Sequence, residues 1–381
     1  MLGFRKKLYN VAVVGENGML GKEVCSWLRY ESRLASSCIG QVWTLSKKDV
    51  DFSQHTNEAL SYFCNNKVLN TPDVVINCAA YTDTTAIEST VEGRNKSFAE
   101  NVILPRTLAE ACARAKIKLI HISTDYVGSE YSTAVDFPAN IYGMHKLLAE
   151  QYVENAYLNN TSTNYLILRT SWLFGPNSSH KTFIEKFMLN LYKAIAKATL
   201  EKSEKITIPV ASNTSGFPTS TWFLSSFIRN AIEANLLGNT VAYQPLGMIK
   251  DGFPKIEAVS RADWAAEIVD VVCRNRGFRN VEIAKTEFPV PDSIGAVHHP
   301  THLPKQYIST ADLDKGLTLY SSYLACIKDA SSWKRHTCYF IENYFGGFEE
   351  LEKWIFSKLT DEERNAIEQY PRVDSSESES H

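Results

Sequence analysis

Long apolar runs are missing from this 381-residue chain: none approaches the ~18 residues of a membrane span. The opening Met1-Leu2-Gly3-Phe4-Arg5-Lys6-Lys7-Leu8 turns charged too early for a secretory signal. A surplus of one charge sign is missing as well. The net charge is −3, so no global field favours nucleic acid or a membrane surface. The eight cysteines, at 25, 38, 64, 78, 112, 273, 326 and 338, include no C-x-x-C pair. Scattered through apolar runs such as Val74-Val75-Ile76-Asn77-Cys78, they are expected to be reduced core residues of a cytosolic protein. His298-His299-Pro300-Thr301-His302 brings three imidazoles together but lacks the helical spacing of a zinc protease. A proline-containing loop is expected there, and no metal.

Hydrophobic content of 44% and charged content of 22% are ordinary for a globular protein. The length suggests more than one domain at ~150 residues each. The first half alternates short β-rich runs with longer helical patterns, which predicts an α/β fold of the doubly wound parallel type. Strands are expected at 8–14, 41–45, 74–79, 118–123 and 165–168, and helices at 18–29, 101–115 and 142–157. Residues 1–176 form the expected nucleotide-binding domain, with elements returning near 206–234. A smaller, loop-rich substrate lobe is expected over 177–205 and 235–318. An aromatic-rich helical extension follows at 319–370, and the polar, acidic end at 371–381 is expected to be disordered. No internal repeat is visible.

Val11-Ala12-Val13-Val14-Gly15-Glu16-Asn17-Gly18-Met19-Leu20-Gly21 is a strand, a glycine turn and a helix start. Gly15 permits the tight turn, Gly18 admits a pyrophosphate to the backbone, and Gly21 lets helix pack closely on strand. The next strand leads into Ser46-Lys47-Lys48. An NAD site tends to carry an acid there for the ribose 2′-hydroxyl; a serine and two lysines would attract a 2′-phosphate. NADPH is therefore expected over NADH.

Tyr142 and Lys146 stand four residues apart in Tyr142-Gly-Met-His-Lys146, on one face of a helix. A nearby ammonium favours the phenolate, so the lysine is expected to lower a phenol pKa that is ~10 in isolation. The product would be a proton donor suited to carbonyl reduction. Upstream stands a Ser123-Thr124-Asp125 strand end.

Together these motifs resemble the extended short-chain dehydrogenases/reductases and, among them, the dTDP-4-dehydrorhamnose reductases. The likeness runs from Val11 to about Ile232, with weaker traces to about Asp312. It includes Asp51-Phe52-Ser53, Pro72 through Thr82, Asn101, His121 through Val127, Ile141 through Glu150, Leu168 through Gly175, and the turn Gly216-Phe217-Pro218-Thr219. The resemblance implies a Rossmann-type fold in which Tyr142 protonates the C4 carbonyl oxygen of a nucleotide-linked 4-keto-6-deoxy sugar. Thr124 would bond the same oxygen, and Lys146 would hold the nicotinamide ribose. Cofactor contacts are implied for Gly15, Asn17, Gly18, Met19, Leu20, Gly21, Lys47, Lys48, Asp51 and Phe52. They are also implied for Cys78, Ala79, Ala80, Tyr81, Asn101, Tyr142 and Lys146. Asp125, Tyr126 and Trp172 are the implied substrate-side residues alongside Thr124.

Two segments depart from the family pattern. The stretch between Thr124 and Tyr142 is several residues shorter, with Gly128-Ser129-Glu130 where a Phe-Asp-Gly is usual. An acid-lysine pair is replaced by Thr85-Ala86, although Glu88-Ser89 returns. The nucleotide and sugar therefore stay open, and a UDP-rhamnose pathway reductase is an alternative. So is an NADP-binding regulatory subunit like the β subunit of methionine adenosyltransferase. A homodimer is left open.

Overall fold

The structure is a computed structural model and describes residues 7–64, 71–127, 140–159, 165–176, 178–179, 182–213, 215–216, 218–233, 240–243, 259–287, 332–343 and 347–372. In chain order the elements begin β1 (Tyr9–Val14), α1 (Met19–Glu31), β2 (Ile39–Leu45), α2 (Asn57–Ser61), β3 (Val74–Asn77), α3 (Thr84–Ser89) and α4 (Val91–Phe98). A π-helical turn (Ala99–Ile103) leads to α5 (Leu104–Arg114), β4 (Lys118–Thr124), a 3-10 turn (Asp125–Val127), α6 (Ile141–Asn159) and β5 (Tyr165–Thr170). Next come β6 (Leu173–Phe174), α7 (Phe183–Leu200), β7 (Ile206–Ala211), β8 (Ser215–Gly216), β9 (Thr219–Ser220), α8 (Thr221–Glu233) and β10 (Thr240–Tyr243). The chain continues through β11 (Val259–Ser260), α9 (Arg261–Arg276), β12 (Val281–Thr286), α10 (Ser332–Asn343), α11 (Phe348–Phe356) and α12 (Asp361–Gln369).

Two compact units result. The first takes Met1–Ser171, Thr221–Glu257 and Val290–Ala330; the second takes Trp172–Ser220, Ala258–Pro289 and Ser331–His381. In the first, six strands lie in the order β10-β5-β4-β3-β1-β2, and every neighbouring pair is parallel. Strands β3 and β5 are buried along their whole length and β1 and β4 at all but one residue, as a sheet covered on both faces requires. At the edge, β2 is only half-buried. Leu20, Val24 and Leu28 line the buried face of α1, and Leu104, Leu108 and Cys112 that of α5, the spacing of amphipathic helices. From β1 the chain crosses to β2 on one side and then to β3 on the other. This reversal opens a crevice beyond the carboxyl ends of β1 and β3, where such sheets bind ligands.

Two local features differ from the expectation. Strand β3 stops at Asn77, because the Asn77 side-chain oxygen accepts the Ala79 N–H at 3.1 Å and bends the chain. The helix expected from Asn101 begins earlier, as α4, and passes through the π-helical turn into α5. Helical periodicity alone does not reveal that widened turn.

The second unit has its own core, built from α7, α9 and the parallel pair β7–β12. Thr182 and Glu185 form a capping box at the start of α7. Ser260 opens α9 and Gly277, at φ +67°, closes it. Elements near 206–234 were expected to return to the nucleotide-binding domain; of these, β7 pairs with β12, and both belong to the second unit. The elements that do return are α8 and β10. Helices α10–α12 bury Phe340, Ile341, Leu351, Ile355 and Ile367 in the same core as Leu191 of α7 and Ile268 of α9. Polar contacts fix them further: Trp264 Nε1 donates to Thr337 Oγ1 at 3.0 Å, and Tyr192 Oη to Glu352 Oε1 at 2.7 Å.

Candidate active site

The glycine turn follows β1 directly. Gly15 has φ +85°, and a Cβ there would lie 2.5 Å from the Ala79 nitrogen. At Gly21 a Cβ would fall 2.1 Å from the Gly15 carbonyl oxygen. Both positions need glycine for close approach of backbone to backbone. Gly18 differs: an added Cβ would meet only that same carbonyl oxygen, at 3.4 Å, and otherwise enter open space. No side chain caps α1 at Gly18. Its first N–H groups, opened by Met19 and Leu20, thus lack the usual side-chain acceptor and form the positive end of a helix, a setting suited to a phosphate. Asn17 is exposed beside it. The cradle fits a dinucleotide pyrophosphate.

Beyond β2 the picture is more mixed than the sequence suggested. Ser46 donates from both its N–H and its hydroxyl to Asp49 Oδ2, each at 2.8 Å. Those bonds hold the Asp49 carboxyl below its usual range. An acid therefore reaches the tip of β2 after all, and Ser46 is already engaged. Lys47 Nζ bonds Glu100 Oε1 at 2.5 Å, which pushes the ammonium pKa up. Lys48 is exposed. Asp51 accepts from the Ser53 hydroxyl at 2.6 Å, while Phe52 is a core residue stacked on Phe63.

Cys78, Ala79, Ala80 and Tyr81 leave the end of β3 along the crevice; Ala80 is exposed and the others half-buried. Asn101 holds this segment. Its amide oxygen accepts the Tyr81 N–H and its amide nitrogen donates to the Tyr81 carbonyl, both at 2.8 Å. The expected cofactor contact at Asn101 thus becomes a brace: its side chain is fully buried and spent on the backbone that lines the crevice.

Tyr142 lies in the first turn of α6 and Lys146 one turn later. Both are buried, Lys146 at 1% exposure. The lysine does not act on the phenol as expected. Lys146 Nζ donates to the Ile122 carbonyl of β4 at 2.7 Å. Burial lowers its pKa to about 8, with Glu150 and Cys78 opposing. The Tyr142 phenol is shifted up, not down: burial disfavours the phenolate, the Asp125 carboxylate adds to that, and only the hydrogen bond with Thr124 opposes. At neutral pH Tyr142 is therefore a protonated donor. Tyr126 meets its ring edge-on at 5.6 Å. Thr124 Oγ1 donates to Asp125 Oδ1 at 3.1 Å, and Ser171 Oγ to Asp125 Oδ2 at 2.6 Å. Thr124, Asp125, Tyr126, Tyr142 and Lys146 are thus gathered at the carboxyl end of β4.

Several supporting residues escaped the sequence. Glu150, one turn beyond Lys146, receives Arg169 of β5 in a buried two-pronged ion pair, Nε to Oε1 at 3.0 Å and Nη2 to Oε2 at 2.7 Å. Ser123 also donates to Glu150. Asn77 donates to His121 Nδ1 at 3.1 Å across β3 and β4. Burial, with Lys146 nearby, keeps that imidazole neutral by driving its pKa well down. Ser97 bonds His145 Nδ1 at 2.8 Å and accepts from Asn101 at 2.9 Å. Glu88 accepts the Tyr142 N–H. An acid and an arginine in apolar runs, such as Glu150 and Arg169, were the available signal, because buried charges occur in pairs.

Trp172 belongs to the second unit. Its ring stacks on Trp264 with centroids 5.5 Å apart, and the Arg261 guanidinium lies 3.6 Å from its centroid. Gly216 makes room for it: a Cβ there would meet the indole at 2.4 Å. Its backbone φ is +41°. The described geometry of Trp172 is that of a packed, strained residue.

Among the described residues no cluster of His, Cys, Asp and Glu could hold a metal. No described helix is long and apolar enough to cross a membrane. Residues 128–130 of the shortened loop, the histidines at 298, 299 and 302, and the acidic tail from 373 lie outside the described residues.

Comparison with known proteins places the chain in a family. The RmlD substrate binding domain family matches residues 9–293. A dTDP-4-dehydrorhamnose reductase of Aggregatibacter actinomycetemcomitans is 28% identical over 311 residues, covering 80% of this chain and 90% of that protein. The corresponding protein of Burkholderia thailandensis is 27% identical, covering 74% and 86%. In three dimensions the chain is similar to a dTDP-4-dehydrorhamnose reductase from Clostridium acetobutylicum, with TM-score 0.57, 22% identity, and 87% and 98% of the two chains covered. It is also similar to the Bacillus anthracis enzyme in complex with NADP, with TM-score 0.56, 23% identity and the same coverage. The fold is of the Rossmann type, and with three quarters of its length matched, the chain belongs to the RmlD substrate binding domain family.

Proposed function

We propose that this protein is an NADPH-dependent reductase acting on the C4 keto group of a nucleotide-linked 4-keto-6-deoxy sugar, with a dTDP sugar as the first candidate. The observation that carries this is the protonated, buried Tyr142 phenol set beside Thr124 at the end of β4. Family membership and the names of the relatives support the substrate class. The open space at Gly18 and the uncapped start of α1 support a dinucleotide.

NADPH, when bound, supplies the hydride. Gly15 through Gly21 would hold its pyrophosphate, the 78–81 segment would run along it, and Lys47 and Lys48 would meet its 2′-phosphate. Lys146 would hold the nicotinamide ribose. Tyr142 Oη gives its proton to the carbonyl oxygen as that oxygen gains charge, and the Thr124 hydroxyl bonds the same atom. Asp125 and Tyr126 are assigned to the sugar. The seven cysteines among the described residues are unpaired, which supports a reducing, cytosolic setting.

The test is loss of NADPH absorbance with dTDP- and UDP-linked 4-keto-6-deoxy sugars, each supplied separately. Turnover on either establishes the reductase and names its nucleotide. Binding of NADPH with no turnover on either sugar would overturn the proposal in favour of a regulatory role.

A further inference from the structure

Glu88 is a carboxyl group in the wrong place for a surface acid. It sits on the short helix α3 at 6% exposure, on a segment that otherwise buries Ile87. Burying a carboxyl is costly unless polar partners compensate. Its Oε1 accepts the backbone N–H of Tyr142 at 3.2 Å, from 54 residues away in sequence. Its Oε2 is buried with no hydrogen-bond partner among the described residues.

That one bond falls at the amino-terminal end of α6. Here the first N–H groups have no partner within the helix and the backbone dipole is positive. Asn140 satisfies the next one, accepting the Gly143 N–H on its side-chain oxygen at 2.7 Å. The Tyr142 N–H is left to Glu88. The residue that carries the proton-donating phenol is thus anchored through its own backbone to another helix. Meanwhile Lys146 Nζ ties the following turn to the Ile122 carbonyl. The two anchors fix both the position and the rotation of the turn bearing Tyr142.

We propose that Glu88 is a positioning residue for the Tyr142 phenol, acting by accepting the Tyr142 backbone N–H. This rests on the reductase function proposed above. A displaced phenol loses rate without losing cofactor, because small misplacements of a reacting group cost on the order of 10²-fold.

Two variants and two readouts test it. In Glu88→Gln the amide oxygen still accepts the N–H; in Glu88→Ala nothing does. Expected for Glu88→Ala is a fall in kcat of about tenfold or more, with the KM for NADPH within about twofold and hydrogen exchange at the Tyr142 amide accelerated. Glu88→Gln is expected to restore most of the kcat and the amide protection. Wild-type kcat and an undisturbed Tyr142 amide in Glu88→Ala would overturn the proposal. So would a Glu88→Gln enzyme as slow and as unprotected as Glu88→Ala. Amide exchange needs no turnover. If the wild-type protein reduces neither sugar, the functional proposal falls, while the exchange comparison still decides whether Glu88 anchors Tyr142.

Discussion

Lys146 Nζ donates to the carbonyl oxygen of Ile122, 2.7 Å away, and so ties α6 to β4 one helical turn from Tyr142. The ammonium is buried, and burial pushes its pKa down to about 8. The phenol stays protonated under the weight of burial and the Asp125 charge. A loaded donor and a lysine close to its own titration point are therefore neighbours.

A pH dependence follows with a definite sign. The free protein holds Lys146 charged below about 8 and neutral above it. Because kcat/KM reports groups of the free enzyme, it should fall as pH rises through about 8. Tyr142 adds no break in that region, since its shift is upward. A Lys146→Arg variant, charged throughout, should lose that break whatever its absolute rate. A descending limb at the same pH in the variant would assign it elsewhere.

The three glycines of the turn separate fold from function. Gly21→Ala places a Cβ 2.1 Å from the Gly15 oxygen, and Gly15→Ala places one against Ala79 at φ +85°. Both should lower the melting temperature, by about 4 °C or more if strain costs ~2 kcal/mol. Gly18→Ala meets only one atom, at 3.4 Å. It should melt within about 2 °C of wild type, since surface changes are usually within ±0.5 kcal/mol. It should nonetheless weaken NADPH binding by about tenfold, because the pyrophosphate needs that approach. Thermal melts with and without NADPH check both halves.

The Glu150–Arg169 pair joins α6 to β5 with both side chains at 5% exposure or less. Removing one partner strands a buried charge. Arg169→Met should destabilise the protein by about 3–5 kcal/mol, while Glu150→Leu with Arg169→Met should recover much of that loss. Urea unfolding of the single and double variants measures it. An additive double variant would show that the pair is not a coupled unit.

Much of this site was legible in the sequence because it is written in short, ordered stretches. Gly15, Gly18 and Gly21 marked the turn between β1 and α1, and Thr124, Tyr142 and Lys146 marked side chains that the fold gathers at the end of β4. What stayed hidden depends on contacts between distant segments. Helical spacing put Lys146 beside Tyr142, but not the burial of the phenol or the Asp125 carboxylate next to it, so the direction of the phenol shift came out reversed. An element near 206 was visible, its pairing with β12 was not, because two helices, α8 and α9, lie between the two strands in sequence. Asn101 was found, but only the fold shows its amide closed on the Tyr81 backbone. Asp49 lay in plain view three residues after Ser46, yet its turn back to the tip of β2 is a matter of loop geometry.

The carboxyl-terminal helices had no assignable place in the sequence and prove to be core. Leu351 and Ile355 of α11 are fully buried and Ile367 of α12 almost so. A chain ended after Asn343 would expose the surfaces they cover, at a cost of ~1.5–3 kcal/mol for each such side chain. It should be recovered poorly folded, with a lower melting temperature than the full chain. A truncated chain that melts like wild type would contradict the assignment of α11 and α12 to the second core.

The central claim is that Tyr142 donates the proton in a hydride-transfer reduction. Its most direct measurement is single-turnover NADPH oxidation with a dTDP-linked 4-keto-6-deoxy sugar, comparing wild type with Tyr142→Phe while NADPH binding is titrated separately. The account predicts turnover in the wild type, a loss of at least ~10²-fold in the variant, and unchanged NADPH affinity. A Tyr142→Phe protein that oxidises NADPH on the sugar as fast as wild type would contradict it.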